Sequence, residues 1–304
     1  MKNVLVIGGS MFTGRVFSIY ASRNGGFNLH VVNRGNFPME LERVTQYKCD
    51  RHNPEEISGL IPDIAYDALV DFCAYNPGDI ESIINAIGGR IRQYIFFSTA
   101  SIYIPTNGFL DEGAPLVDLN TEDGNSINDY IRNKIRLEQE LAHACAESGI
   151  RYTILRPSFI YGPFNYAPRE SYFIELIAKR QTVPVLTDSS ARFSFVYVID
   201  IAEALIKCIG DERAYNEAFN MAGSEAVTYT QLISDFERFN VAPFKTREVT
   251  VAQVEDENLP LPFPLSGDVL YDGRKFSQMF DFRYTPFSEG MEKTFRVFYS
   301  LFST

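Results

Sequence analysis

Val4-Leu5-Val6-Ile7-Gly8-Gly9-Ser10-Met11-Phe12-Thr13-Gly14 decides the fold. Four apolar residues in a row, cut off by glycines, read as a short strand buried on both faces, the kind found in parallel sheets. The stretch from about Thr13 to Arg23 then reads as a helix. Strand, glycine turn and helix in that order form the usual seat of a dinucleotide pyrophosphate. Glycines let the backbone come close, and the N–H groups of the helix N-terminus face the phosphates. The expected cofactor contacts are Gly8, Ser10, Met11, Phe12 and Gly14, with Met11 where a middle glycine is common. A plain strand-to-helix turn can look the same, so the reading depends on the rest of the chain.

Outward from this stretch the chain alternates. Leu29 to Val32 reads as a second strand and Val44 to Cys49 as a third, followed by a helix start at Asn53-Pro54-Glu55-Glu56. Ala68 to Asp71 is a fourth strand, with a helix opening at Asn76-Pro77 and running to about Ile87. Tyr94 to Phe97 is a fifth, Ile127 to Glu147 a long amphipathic helix, and Tyr152 to Leu155 a sixth strand. Short apolar strands separated by helices predict a doubly wound α/β fold with right-handed crossovers. Beyond Leu155 the alternation fails, and prolines and aromatics gather at Arg156-Pro157, Gly162-Pro163 and Pro168. Phe193 to Val198 and Ala218 to Met221 are expected to rejoin the sheet. Thr228 to Pro286 reads as a smaller lobe over its carboxyl edge. The expected division is a Rossmann nucleotide-binding domain over 1–157, its sheet completed by about 192–222, with a substrate-binding lobe from 158–191 and 223–304.

The 304 residues, 45% hydrophobic and 22% charged, can bury a large core, which excludes a disordered chain or a small stapled scaffold. A net charge of −11 with no Lys/Arg run lacks the basic footprint of a nucleic-acid binder. Four scattered cysteines without a CxxC read as buried thiols, and three histidines at no ligand spacing predict no metal centre. No apolar run approaches the ~18 residues that span a bilayer. The expectation is a cytoplasmic protein with a small-molecule substrate and neither a membrane nor a nucleic-acid partner.

Nineteen residues after Gly14 comes Asn33, then Arg34. A carboxylate here would hold a ribose 2′-hydroxyl and repel a 2′-phosphate, whereas Asn does not repel and Arg can pair with phosphate. The expected cofactor is NAD(P), with a lean to NADP(H). Asp50, ending the third strand, could accept from the adenine amino group or cap the Asn53 region. Tyr130 and Lys134 lie four apart and so share one face of the long helix. An ammonium beside a phenol lowers the phenol's pKa from about 10 and fits it for acid/base work on an alcohol or ketone. A second such pair, Tyr271 and Lys275, straddles the turn signal Asp272-Gly273 and reads as a decoy. Thr99 or Ser98, at the carboxyl end of the fifth strand, could hydrogen-bond the reacting oxygen.

In this order these residues resemble the short-chain dehydrogenase/reductase superfamily, best its extended branch, the NAD-dependent epimerase/dehydratase family. The similarity rests on Gly8-Gly9-Ser10-Met11-Phe12-Thr13-Gly14, Asn33-Arg34-Gly35, Asp50-Arg51, Phe97-Ser98-Thr99-Ala100-Ser101-Ile102-Tyr103 and Tyr130/Lys134. It continues through Leu155-Arg156-Pro157, Tyr161-Gly162-Pro163, Val196-Tyr197-Val198-Ile199-Asp200 and Phe219-Asn220. The glycine loop with Asn-Arg-Gly resembles an atypical subgroup that includes chloroplast stem-loop RNA-binding proteins.

The resemblance implies Tyr130 as general acid/base, Lys134 as ribose contact and tuner of Tyr130, and Thr99 as contact to the reacting oxygen. Dehydratases of the family follow the Thr with Asp-Glu; Ala100-Ser101 here disfavours water elimination. Epimerases commonly carry Asn where this chain has Phe159, which puts a UDP-sugar in doubt. Ser101 and Arg192 are taken as substrate contacts, Arg192 because a guanidinium suits phosphate. The expectation is an NAD(P)-dependent epimerase or reductase acting at a secondary carbinol of a sugar-like substrate. Family members often dimerise through the Tyr/Lys helix, so a homodimer is implied. Two alternatives stay open: an RNA-binding protein on the same fold, and an NADP(H)-binding redox sensor without turnover.

Overall fold

The computed structural model describes residues 1–119 and 129–303. Its first half runs β1 (Lys2–Ile7), α1 (Phe12–Asn24), β2 (Phe27–Asn33), β3 (Val44–Lys48), α2 (Pro54–Leu60), β4 (Ala68–Asp71), α3 (Asp79–Ile87), β5 (Gln93–Phe97), β6 (Phe109–Leu110), α4 (Asp129–Ser148) and β7 (Arg151–Pro157). The second half runs β8 (Phe159–Tyr161), α5 (Glu170–Ala178), β9 (Val183–Leu186), β10 (Arg192–Phe193), β11 (Phe195–Tyr197), α6 (Val198–Cys208) and β12 (Glu217–Met221). It ends with α7 (Tyr229–Phe239), β13 (Thr246–Val249), α8 (Val251–Asp256), β14 (Asp268–Tyr271), α9 (Arg274–Phe280) and α10 (Phe287–Phe302).

Seven parallel strands form the central sheet in the order β12-β7-β5-β4-β1-β2-β3. The apolar run of β1 is wholly buried because its side chains alternate between two cores. Val4 and Val6 pack with Val16 and Phe17 of α1 and Ile201 and Leu205 of α6. Leu5 and Ile7 pack with Ile57 of α2, Ile80, Ile83 and Ile84 of α3, and Leu137 and Leu141 of α4. Helices therefore cover both faces, and the doubly wound α/β fold is the observed one. The strand order reverses between β1 and β4, which opens a crevice beyond the carboxyl ends of the strands.

One expectation is corrected. Residues 193–198 do not rejoin the central sheet. Arg192–Phe193 pairs with Asp268–Val269 of β14, Phe195–Tyr197 pairs with β8, and Val198 already opens α6. The run is apolar because its aromatics sit in a lobe core, where Phe193, Phe195, Phe159 and Phe263 stack within 5.0–6.3 Å of one another. β12 alone extends the sheet, pairing Phe219 with Leu155. The start expected for α4 at Ile127 lies outside the described residues. No helix among the described residues is long and apolar enough to cross a membrane.

Candidate functional site

A cavity of about 620 Å³ occupies the crevice at the sheet's switch point. The carboxyl ends of β1, β2, β4, β5 and β7 border it, together with α1's first turn, α4's Tyr130 and Lys134, and the loop before α5.

At one end lies the glycine loop. Gly8 and Gly9 have φ of +98° and +75°, which favours glycine, and a Cβ on Gly14 would stand 2.5 Å from the Gly9 Cα. That contact seats α1 tightly on the loop. Met11 caps α1 with no side-chain hydrogen bond, so the first-turn N–H groups meet the cavity without a side-chain acceptor. Asn33 accepts from the Gly35 N–H at 2.8 Å and the Gln46 amide at 2.9 Å, while its own buried Nδ2 has no partner. Uncapped helix N–H groups and an orphaned amide beside the crevice fit an anionic nucleotide. Arg34 borders the same end, and so does Asp50. The Asp50 carboxylate accepts from the His52 N–H at 2.9 Å, and this holds its pKa below the usual range. Behind it Arg51 forms a buried pair with Asp71 at 2.9 Å, and Tyr94 donates to the same carboxylate at 2.6 Å.

At the other end Thr99 and Tyr130 meet. The Thr99 side chain lies close enough to the Tyr130 phenol to pull its pKa down, and the Thr99 Oγ1 accepts from the Ser101 N–H at 3.2 Å. Tyr130 is 39% exposed at the mouth of the crevice, yet the protein packed around its phenol raises its pKa, and Thr99 and the charge of Arg169 pull it back. Lys134 is 2% exposed and donates to the carbonyls of Ala74 at 3.0 Å and Phe97 at 2.8 Å. Burial pushes its ammonium down to about 8. Lys134 is not among the groups that act most on the Tyr130 pKa. The ammonium donates to two carbonyls and sits 5.8 Å from the Tyr130 ring, while Thr99 and Arg169 partly offset the upward shift of the phenol.

Ser98 borders the cavity, but its hydroxyl donates to Glu138 at 2.6 Å. Arg156 holds the same carboxylate through two hydrogen bonds of 3.0 and 2.6 Å. Thr99, not Ser98, is therefore the hydroxyl at Tyr130. Two expected substrate contacts lie elsewhere. Ser101 lies beside Tyr271, outside the cavity lining. Arg192 sits on the lobe edge with its guanidinium forked onto Asp268 at 2.8 and 2.6 Å, so its charge is already matched. The decoy pair stays apart from the cavity: Lys275 donates to Glu217 at 2.7 Å and to the Ala218 carbonyl at 2.9 Å.

Sequence reasoning missed several bordering groups. Arg169 and Tyr166 come from the proline-rich loop, which has no period to read. Ser158 follows Pro157 and carries a buried hydroxyl without a partner. Tyr75, from the loop after β4, lies 6.4 Å from the Tyr130 ring.

A sequence profile of the NAD dependent epimerase/dehydratase family matches residues 4–222. The chain belongs to that family. Among this epimerase/dehydratase's relatives, a chloroplast stem-loop binding protein of 41 kDa from Arabidopsis thaliana is 25% identical over 245 residues, covering 76% of this chain and 61% of the relative. UDP-glucose 4-epimerase from Vibrio cholerae is 25% identical over 159 residues, covering 52% and 46%. The matches thus span about half to three-fifths of these relatives' length. Among solved structures, UDP-glucuronic acid 4-epimerase from Bacillus cereus in complex with NAD superposes with a TM-score of 0.77 at 15% identity, over 99% of both chains. UDP-glucose 4-epimerase from Thermotoga maritima with UDP-glucose gives 0.76 at 20% identity, over 98% of this chain and 99% of that one. At these identities the structures show that the chain shares their fold.

Proposed function

We propose that this epimerase/dehydratase binds a nicotinamide dinucleotide along the crevice and acts at a secondary carbinol of a sugar or sugar-nucleotide-like substrate. The observation that carries this reading is the Thr99–Tyr130 hydroxyl pair in the cavity that also holds the glycine loop and α1's uncapped N-terminus. When bound, the dinucleotide supplies a hydride acceptor and donor. Gly8, Ser10, Met11, Phe12 and Gly14 would hold its pyrophosphate, Asn33, Arg34 and Asp50 its adenosine half, and Lys134 its nicotinamide ribose. Residues 1–157 with β12 would hold the dinucleotide, and 158–191 with 223–304 the substrate.

The chain's own chemistry is proton handling. With its pKa raised by burial, Tyr130 stands as a neutral phenol, the form that donates to a carbonyl oxygen. Taking a proton from an alcohol needs the phenolate, which Thr99 and Arg169 favour. Thr99 would hold the reacting oxygen beside Tyr130. The solved relatives named above include one described with NAD, which supports NAD; Asn33 and Arg34 leave room for a 2′-phosphate as well.

Tyr130→Phe tests the reading, using NAD-loaded protein with UDP-glucose and UDP-glucuronic acid. Turnover is expected to fall about 10²–10⁴-fold while the NADH dissociation constant stays within two-fold. Unchanged turnover would contradict it.

The stem-loop binding relative, which matches 76% of the chain, favours a second reading as an RNA-binding protein. That reading expects RNA affinity falling steeply with salt. Salt-sensitive gel shifts in the absence of any hydride transfer would decide for it.

A further inference from the structure

Arg169 is a cation with no ion-pair partner among the described residues. It directly precedes α5, and its guanidinium lies 5.4 Å over the ring of Phe159. It borders the cavity at the end where Tyr130 sits. Three other arginines are matched by a carboxylate: Arg51 by Asp71, Arg156 by Glu138 and Arg192 by Asp268. Among the described residues none forms an ion pair or a side-chain hydrogen bond with the Arg169 guanidinium. Its neighbour Glu170 feels its charge but forms no ion pair with it, accepting instead from the Gly162 N–H and the Asn165 amide at 3.1 Å each. Asp50, the carboxylate that borders the cavity, lies at the nucleotide end and is taken by His52.

A half-buried guanidinium has five donors in a planar fork and suits a carboxylate or phosphate. In a protein of net charge −11, one left unmatched in a cavity is a place kept for an anion. A second observation points the same way. The Ser158 hydroxyl, buried and without a partner, borders the same cavity one residue before Phe159.

We propose that Arg169 anchors an oxyanion carried by the substrate, placed within one side chain's reach of the carbon that Tyr130 serves. The inference deepens the proposed function and rests on it for the role of Tyr130. The substrate class it names is a sugar bearing a carboxylate or phosphate near the reacting carbon. Arg169 is then a specificity-determining residue, and charge at that position separates good ligands from poor ones.

The test uses two matched pairs on the whole protein, with and without saturating NADH, read by isothermal titration. UDP-glucuronic acid against UDP-glucose reports a carboxylate, and glucose 6-phosphate against glucose reports a phosphate. In at least one pair the charged member is expected to bind roughly ten-fold or more tightly, as befits a charge-assisted hydrogen bond. Arg169→Ala should erase that preference while leaving UDP-glucose, glucose and NADH within two-fold, and Arg169→Lys should keep part of it. Absence of any charge preference in both pairs, or a preference that survives Arg169→Ala, overturns the proposal. A charge preference that holds where NADH fails to bind would refute the dinucleotide reading and leave the anchor standing.

Discussion

The Tyr130 hydroxyl is held between opposing influences, and single side chains set the balance. Burial keeps the phenol protonated, and Thr99 and Arg169 lean against it. At the far end of the crevice Arg34 borders the cavity, and a guanidinium there suits the 2′-phosphate of the proposed cofactor. Arg34→Ala is expected to lower the ratio of NADPH to NADH affinity several-fold in paired titrations. An unchanged ratio would remove Arg34 from cofactor selection. Glu170 gives a pH signature. It is wholly buried, and burial lifts its pKa from 4.5 to about 7. A raised folded value means that the fold prefers the protonated acid. The stability this contributes is complete below about pH 4.5 and is lost as pH rises through about 7. A tenfold change in a proton-binding constant is worth about 1.4 kcal/mol. Asp200 moves in the same direction, so the variant is compared with wild type. Urea unfolding from pH 4.5 to 8 should show wild type losing stability relative to Glu170→Gln by about 1–3 kcal/mol. Parallel curves would contradict this.

At the level of elements, the strand, loop and helix that open the chain behave as one unit because Gly9 and Gly14 touch. Gly14→Ala would place a methyl 2.5 Å from the Gly9 Cα and 2.9 Å from its nitrogen, both backbone atoms. Gly26→Ala, just before β2, would meet nothing within 4 Å. The first is expected to cost about 1–3 kcal/mol and to weaken NADH binding, the second close to nothing. Equal effects in thermal unfolding would count against tight loop–helix packing. α4 is tied down similarly, with Glu138 joining Ser98 of the β5 end to Arg156 of β7. The elements legible in the sequence are those with local signals. β4 spans Ala68–Asp71 as read, and the glycine loop names α1's start to within a residue. The place of Phe193–Val198 is not legible, because an apolar run carries no mark of its partner. Val269 and Phe159, which pair with Phe193 and Phe195, lie far away in the chain. Arg192 escapes the sequence for the same reason. Asp268, 76 residues on, neutralises it. Tyr130, Lys134 and Thr99 can be placed on one wall because α4 and β5 are readable. Arg169 and Ser158 cannot, because the loop that carries them has no period.

Over the whole molecule, the net charge of −11 contrasts with a crevice bordered by Arg34, Lys134 and Arg169 and by a single carboxylate, Asp50, among its described lining. An anionic ligand is drawn to that local field rather than to the total. The aromatic lobe core and the parallel sheet close on the crevice from two sides, which leaves the carboxyl ends of the strands as its floor. The central claim is that this crevice binds a nicotinamide dinucleotide. It is tested most directly by titrating NADH and NADPH and following reduced-nicotinamide fluorescence, a clean signal in a chain without tryptophan. Saturable binding of at least one of them is expected below about 1 mM on wild type, with a weakened curve on Gly14→Ala. Failure of both to saturate on folded wild-type protein would contradict it.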